Sequence, residues 1–353
     1  MKVILAATVG KRSGGTFYAR RLGQALGAEM VPIDQPLTRL VPSLLRVEAD
    51  VFLIDFEYAT FGNAARSIVL LPLLVLLLRL RRPVVVRLHG VVTESSLRGG
   101  KFRHLVLSAF HLSYKLTAVF ASAFIVHSEL MRTTLATEYG IVNATVIPLG
   151  SNPAASRRSE GAHLAFFGFV RPSKGVEEAI LALGLLREEY PDLRLVVAGG
   201  LALDREATYL GVLQDAVRTA GVEDRVEFLT RFLTEEEKTA VVASASMLLL
   251  PYKDEFVEVS AVVHDFAGYG VPIICSDRPR FSELTDGVNC LKVRPEGPAL
   301  AQAIRTLLEN PPLAARLGEN LRHLAEANSW DRVATLHRAY LESVVQGQGR
   351  PPS

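Results

Sequence analysis

The sequence predicts an α/β protein of two domains, and three observations support this. At 353 residues, 49% of them apolar, the chain is long enough to bury two cores of ordinary size. Short aliphatic runs alternate with segments of helical periodicity up to Pro148, and the alternation begins again at His163. Between the two series, Ser151–Gly161 (SNPAASRRSEG) is polar, proline-bearing and without pattern, as a linker is. We therefore expect two Rossmann-like domains facing across a cleft, over residues 1–150 and 162–329, joined by a linker at 151–161. Gly347–Ser353 reads as a disordered tail.

In the first series, Lys2–Ala7 (KVILAA) is a buried-strand run and Thr8–Thr16 (TVGKRSGGT) a glycine-bearing loop, followed by the helical spacing of Phe17, Leu22, Ala25 and Leu26. In this β-loop-α layout Gly14 and Gly15 let the backbone approach a diphosphate or sugar closely. Asp34 ends the next strand and invites a dinucleotide reading. The spacing argues against it, because Gly10, Gly14 and Gly15 give G-x-x-x-G-G and not G-x-G-x-x-G. Val51–Ile54 is a strand with Asp55-Phe56-Glu57-Tyr58 at its carboxyl end. Asp-x-Glu suits a metal, but two carboxylates without a nearby His are an incomplete set, so no metal site is expected. Glu57 and Tyr58 read either as part of a cleft wall or as a solvated loop.

Ser67–Leu78 is uncharged and nearly all aliphatic, yet short of the roughly twenty residues a spanning helix needs, so it is read as a buried helix. Pro83–Leu88 (PVVVRL) is the strand it feeds, ending in His89-Gly90. His89 lies beyond a strand's carboxyl end, where open α/β sheets bind ligands, and is a candidate functional residue. Arg98–Tyr114 mixes cations with apolar residues, the pattern of a helix on a membrane surface or of one with its apolar side in the core. His104 and His111 have no third partner for zinc. Phe124–His127, a helix opened by Ser128, and Thr145–Pro148 complete the first domain.

The second series runs through the strand Leu164–Phe167, the loop Gly168–Lys174 and the helix Val176–Arg187. Leu193–Ala198 follows, closed by Gly199-Gly200, then Arg225–Leu229, a helix Glu235–Ser244 with Thr234 and Glu237 as its capping box, and Met247–Leu250. Arg171 and Lys174 precede a helix start, where two cations can clamp a leaving diphosphate. The charged loop after Tyr252 leads to Ser260, a suitable N-cap. The helix opening at Ser260 and Ala261 offers free N–H groups to a phosphate. Gly270 ends that helix and Pro272 bars its continuation before the strand Ile273–Cys275.

Charge divides unevenly. Met1–Gly150 holds 17 Lys and Arg against 9 Asp and Glu, a net of +8, and the rest of the chain nets −6. The first half is thus expected to face an anionic surface or substrate. Nucleic acid is not the expected partner, because aromatic residues do not interleave with the cations. Cys275 and Cys290 are expected in or near apolar strands as reduced thiols of a cytoplasmic protein, and strand-like Met1–Ala7 gives no signal peptide.

These motifs together resemble the retaining family-4 glycosyltransferases with the GT-B fold, over nearly the whole chain. That family carries Glu, seven residues, Glu, four residues and Gly-x-Pro. Counting back from Gly270-Val271-Pro272 places Asp265 at the second carboxylate and Val257 at the first, with Glu258 and Glu255 beside it. Gly168 to Gly175 is similar to its Gly-Arg-x-x-x-x-Lys-Gly loop; Lys174 matches in spacing, whereas Phe169 stands where the family has Arg, and Arg171 is two places on. Gly14-Gly15 and His89 match the family's Gly-Gly and donor-sugar His, and Ser329-Trp330 with Asp331–Val344 resembles a terminal helix, here 330–346, that crosses back to the first domain.

The resemblance implies a metal-independent hexosyltransferase without a resident cofactor, using a UDP- or GDP-linked sugar as co-substrate. Lys174 and Arg171 would steady the departing diphosphate, His89 and Glu258 would hold the hexose, and Asp265 the ribose. Gly14, Gly15, Gly199, Ser260 and Ala261 would complete the donor site. The acceptor would be a sugar or a lipid-linked or anionic molecule, with the enzyme cytoplasmic and able to contact the inner face of an anionic membrane. Two alternatives stay open. One is a nucleotide-sugar-binding protein without transfer activity, suggested by Val257; the other is a nucleotide-sugar epimerase on the same fold.

Overall fold

The computed structural model describes residues 1–10, 14–58, 60–97, 103–153, 163–201 and 205–347. The chain forms two compact units: Met1–Gly150 with Phe256–Val259 and Asn328–Ser353, and Ser151–Glu255 with Ser260–Ala327. Most of the linker expected at 151–161 and the tail after Gly347 lie outside the described residues.

The first unit contains β1 (Val3–Ala7), α1 (Gly14–Leu26), β2 (Glu29–Pro32), α2 (Leu37–Arg46), β3 (Val51–Phe56), α3 (Ala64–Arg79), β4 (Val84–Leu88), β5 (Gly90–Val91), α4 (Arg103–Phe120), β6 (Ala123–Val126), α5 (Glu129–Tyr139) and β7 (Ala144–Val146). Six strands pair in parallel in the order β2-β1-β3-β4-β6-β7. β1, β3, β4 and β6 are buried along their whole length, which explains why they read as apolar runs without alternation, interrupted by Asp55 in β3 and Arg87 in β4. α3 opens three residues before the expected start because the Asn63 side chain accepts a hydrogen bond from the Arg66 N–H at 2.9 Å. Ser128 caps α5 as expected, accepting from the Met131 N–H at 3.3 Å.

The second unit opens with β8 (His163–Phe167), a 3-10 turn at Pro172–Lys174, α6 (Val176–Leu186), β9 (Arg194–Ala198), α7 (Arg205–Ala220), β10 (Val226–Leu229), α8 (Glu235–Ala243) and β11 (Met247–Leu250). The chain then enters the first unit for β12 (Val257–Glu258), which pairs antiparallel with β5. It returns with α9 (Ala261–Phe266), a 3-10 turn at Ala267–Tyr269, β13 (Ile273–Ser276), β14 (Leu291–Val293), α10 (Gly297–Glu309) and α11 (Pro311–Ala327). Its sheet is also fully parallel, in the order β10-β9-β8-β11-β13-β14. Finally α12 (Trp330–Val345) belongs to the first unit, where Val333, Tyr340 and Leu341 join the core of Leu5, Leu22 and Leu53.

Both sheets reverse their chain order at one place, β1 against β3 in the first and β8 against β11 in the second. At such a reversal two loops leave neighbouring strand ends in opposite directions and open a crevice for a ligand. The polar clusters described next stand at these two places.

Candidate active site

In the second unit the loop after β8 lies flat on neighbouring backbone, and two glycines make that possible. Gly199 has φ +139°, and a β-carbon on it would fall 1.9 Å from the Gly168 carbonyl oxygen. Gly175, at φ +69°, would meet the Pro251 carbonyl at 2.0 Å. Any side chain at either place would lift the loop away. Held in this way, Lys174 is buried, with Nζ 3.6 Å from the centre of the Tyr252 ring and 3.6 Å from Asp254 Oδ2. Arg280 binds the other oxygen, its Nη2 donating to Asp254 Oδ1 at 2.9 Å. Burial works to raise the Asp254 pKa, but Arg280 first and then Lys174 and Arg171 outweigh it, and the carboxyl stays below the ordinary range. Three cations therefore surround one carboxylate. The Arg171 Nε is buried and meets no acceptor among the described residues. A cluster with surplus positive charge and an unspent guanidinium N–H is built to receive an anion.

α9 departs from expectation. The helix expected from Ser260 to Gly270 is six residues long and finishes as a 3-10 turn, though Gly270 does close it in the left-handed region at φ +65°. Ser260 makes no capping bond; its side chain is hydrogen-bonded to Tyr252, a fully buried phenol that needs a partner. Ala261 opens α9 and Asp265 lies half-buried on it. His264 between them is fully buried, its Nδ1 2.9 Å from Ser151 Oγ and its Nε2 2.8 Å from Glu283 Oε2. The order Ser–His–Glu resembles a nucleophile relay. Ser151 is also fully buried, so the chain ties three segments together and presents no nucleophile.

The first unit gathers the other candidates. A β-carbon on Gly15 would meet Glu57 Oε1 at 2.0 Å, so the glycine leaves the space that the Glu57 carboxyl fills. Tyr58 stacks on Phe256 with centroids 5.5 Å apart, and both Tyr58 and Glu258 lie against Gly90. Gly14 begins α1. Beneath them, Asp55 Oδ1 takes hydrogen bonds from Arg87 Nη1 at 2.6 Å and His89 Nε2 at 2.7 Å. A carboxylate only accepts, so Nε2 carries the hydrogen; the 3.3 Å approach of Arg87 Nη1 to that same nitrogen is then proximity between two donors, not a bond. Burial pulls Asp55 upward, but His89 and Arg87 hold it far below the ordinary carboxylate range. Glu57 moves the opposite way. Burial raises it, and Asp55 and Glu258 add to the rise against the pull of His89. His127, whose ring lies 5.1 Å from that of His89, is held neutral by burial and by Arg87. Among the described residues no group of three or more His, Cys, Asp or Glu is set to hold a metal ion, and no helix is long and apolar enough to cross a membrane.

Residues 161–310 match the family model described as glycosyl transferases group 1. That match covers less than half of the chain and lies mainly in the second unit. The glycogen synthase of Mycobacterium tuberculosis is 30% identical over 226 residues, which are 60% of this chain and 51% of that protein. The GDP-mannose-dependent alpha-(1-6)-phosphatidylinositol monomannoside mannosyltransferase of Mycolicibacterium smegmatis is 31% identical over 164 residues, 44% of this chain and 41% of its own. The chain thus spans about half the length of the curated relatives it matches. The crystal structure of Anabaena Alr3699/HepE in complex with UDP aligns at TM-score 0.76 and 20% identity, covering 97% of this chain and 100% of that one. That likeness shows the fold, which is GT-B.

Of the residues in this cluster, the sequence reading names Lys174 and Arg171 and misses Asp254, Tyr252 and Arg280. Arg280 sits in SDRPRF, 26 residues after Asp254, and nothing local marks it as a partner. The candidates divide between the two units. Gly15, Glu57, Tyr58, His89 and Glu258 come together in the first unit, whereas Lys174, Arg171, Gly199 and Ser260 come together in the second. Ala261 and Asp265 belong to the second unit on α9.

Proposed function

We propose that this protein transfers a hexose from a nucleoside diphosphate sugar to an acceptor hydroxyl with retention of anomeric configuration. The observation that carries the proposal is the cationic cluster of Lys174, Arg171 and Arg280 at the chain reversal within the region that matches the group 1 model. A leaving diphosphate gains negative charge as its bond to the sugar breaks, and fixed cations in a buried place stabilise that charge most. They supply positive charge that a metal ion would otherwise bring, which supports a metal-independent reaction. Asp265 accepts from the ribose, His89 and Glu258 hold the hexose, and Gly14, Gly15, Gly199, Ser260 and Ala261 line the donor's path. The acceptor oxygen attacks the anomeric carbon on the face that the phosphate leaves; the carbon–oxygen bond to phosphate breaks and a phosphate oxygen takes the acceptor's proton.

In this reading residues 162–329 bind the donor and residues 1–150 the acceptor, near Glu57 and Tyr58. The UDP bound by the Anabaena protein and the GDP-mannose named for the mycobacterial enzyme support a UDP- or GDP-linked donor. A lipid-linked acceptor, met at the cytoplasmic face of a membrane, is supported by the +8 first half and by the phosphatidylinositol mannoside acceptor of that same relative. Lys174→Ala should lower the rate of donor consumption with an acceptor panel by about a hundred- to a thousandfold. A rate within a few-fold of wild type would remove Lys174 from this role.

A second reading, donor binding without transfer, is favoured by one observation. Val257, where the family carries its first carboxylate, is 6% exposed and paired with Val91. Donor binding by calorimetry with no product from any acceptor would select it.

A further inference from the structure

The +8 net charge of the first 150 residues has a narrow origin. Between Glu57 and Glu129 the sequence holds nine Lys and Arg and a single acidic residue, Glu94. This stretch contains α3 and α4, the successive crossovers from β3 to β4 and from β4 to β6. Two right-handed crossovers moving the same way along a sheet put their helices on one face, and α3 and α4 pack directly against each other there.

The outward side of this helix pair is aliphatic. On α3 and its C-cap, Val69, Leu73 and Leu80 are exposed; on α4, so are Leu105, Leu112, Leu116 and Val119. Their relative exposures run from 41% to 78%, and they are seven of the seventeen exposed large apolar side chains among the described residues. Spacings of three, four and seven place each set along one side of its helix. On α3 cations stand at both ends of the stripe, and on α4 at its start and within it. Arg66 is near the start of α3 and Arg79, Arg81 and Arg82 at its end, all exposed; on α4, Arg103 pairs with Glu94 and Lys115 lies exposed beside Leu116.

We propose that the outward face of α3 and α4 docks on an anionic lipid bilayer, with the aliphatic stripes entering the headgroup boundary and the cations meeting lipid phosphates. An apolar stripe framed by cations suits that boundary, where side chains gain both apolar burial and attraction to charged headgroups. A second copy of this chain is a poor occupant. A two-fold interface sets a patch against itself, and this patch would oppose Arg66, Arg79 and Lys115 with their own copies, with Glu94 already paired to Arg103. Except for Arg87, which is buried against Asp55, the charge also lies apart in character from the first unit's polar cluster, which gathers Asp55, Glu57 and Glu258. The cations of this half therefore fit a surface more than an anionic group at those carboxylates. The inference rests on the membrane-side acceptor proposed above for its biological sense, but its test needs neither donor nor acceptor.

Co-sedimentation of the full chain with vesicles of phosphatidylcholine alone, and of equal parts phosphatidylcholine and phosphatidylglycerol, tests it. Binding to the anionic vesicles should exceed the neutral ones by about tenfold or more and fade as salt is raised. The double variant Leu73→Glu with Leu112→Glu should lose about tenfold in binding while keeping the wild-type melting temperature. Arg79→Ser with Lys115→Ser should weaken binding to anionic vesicles and leave the neutral baseline unchanged. Equal binding to both vesicle types would overturn the proposal, as would indifference to Leu73→Glu with Leu112→Glu. A dimer in light scattering that this same variant dissolves would assign the face to a second copy instead.

Discussion

Asp55 holds together the polar interior of the first unit, because Arg87 is fully buried beside it at 2.6 Å. A guanidinium in such a place stays tolerable only while its carboxylate is present. Asp55→Asn should therefore cost about 3–5 kcal/mol of stability, read from urea unfolding, a loss far beyond that of an ordinary surface pair. A loss under about 1 kcal/mol would mean that Arg87 is satisfied elsewhere. The same residue shows the limit of reading a sequence. Arg87 stands in PVVVRL, a run legible as a buried strand, and nothing in those six letters says that its cation is buried with the strand. Its partner is 32 residues earlier, and only the pairing of β3 with β4 sets Asp55 opposite Arg87. Lys174 was legible for the opposite reason, since its glycines, its spacing and the helix after it are all local.

Among elements, α12 carries a pH dependence into the first unit. Its His337 is fully buried with Nδ1 2.8 Å from the Val333 carbonyl, and burial, helped by Arg87, pushes its pKa down to about 3. An unfolded histidine titrates near 6.5. Above that value neither state binds the proton and the stabilisation is complete. As pH falls below it, the unfolded chain takes up a proton that the folded chain refuses. Stability should then fall by about 1.4 kcal/mol per pH unit for this residue, with His127 acting in the same direction. Urea midpoints between about pH 5 and 7 should slope less for His337→Leu than for wild type; equal slopes would place the titration elsewhere. Elements themselves were legible where their signals are short-range. The capping box of Thr234 and Glu237 is present in full, and Gly270 closes its turn as expected. β5 and β12 were not legible, since two-residue strands have no periodicity and exist only because Val91 meets Val257. The Ser260 cap failed because a tertiary partner, Tyr252, claims the hydroxyl that local spacing assigns to the helix.

At the scale of the whole molecule, two parallel sheets each reverse their chain order once, and each reversal carries polar residues of different character. In the first unit the groups at the strand ends are chiefly carboxylates and imidazoles, suited to hydroxyls. In the second they carry surplus cationic charge, suited to a diphosphate. This division was not visible in overall composition, where a net charge of +2 conceals it. If the β8–β11 reversal grips the diphosphate, calorimetric titration of UDP against UMP, and of GDP against GMP, reports it most directly. One of the two diphosphates should bind wild type about tenfold or more tighter than its monophosphate, and Lys174→Ala should erase most of that gap while the monophosphate affinity holds. Equal affinities for diphosphate and monophosphate in wild type, or a gap that survives Lys174→Ala, would contradict the account.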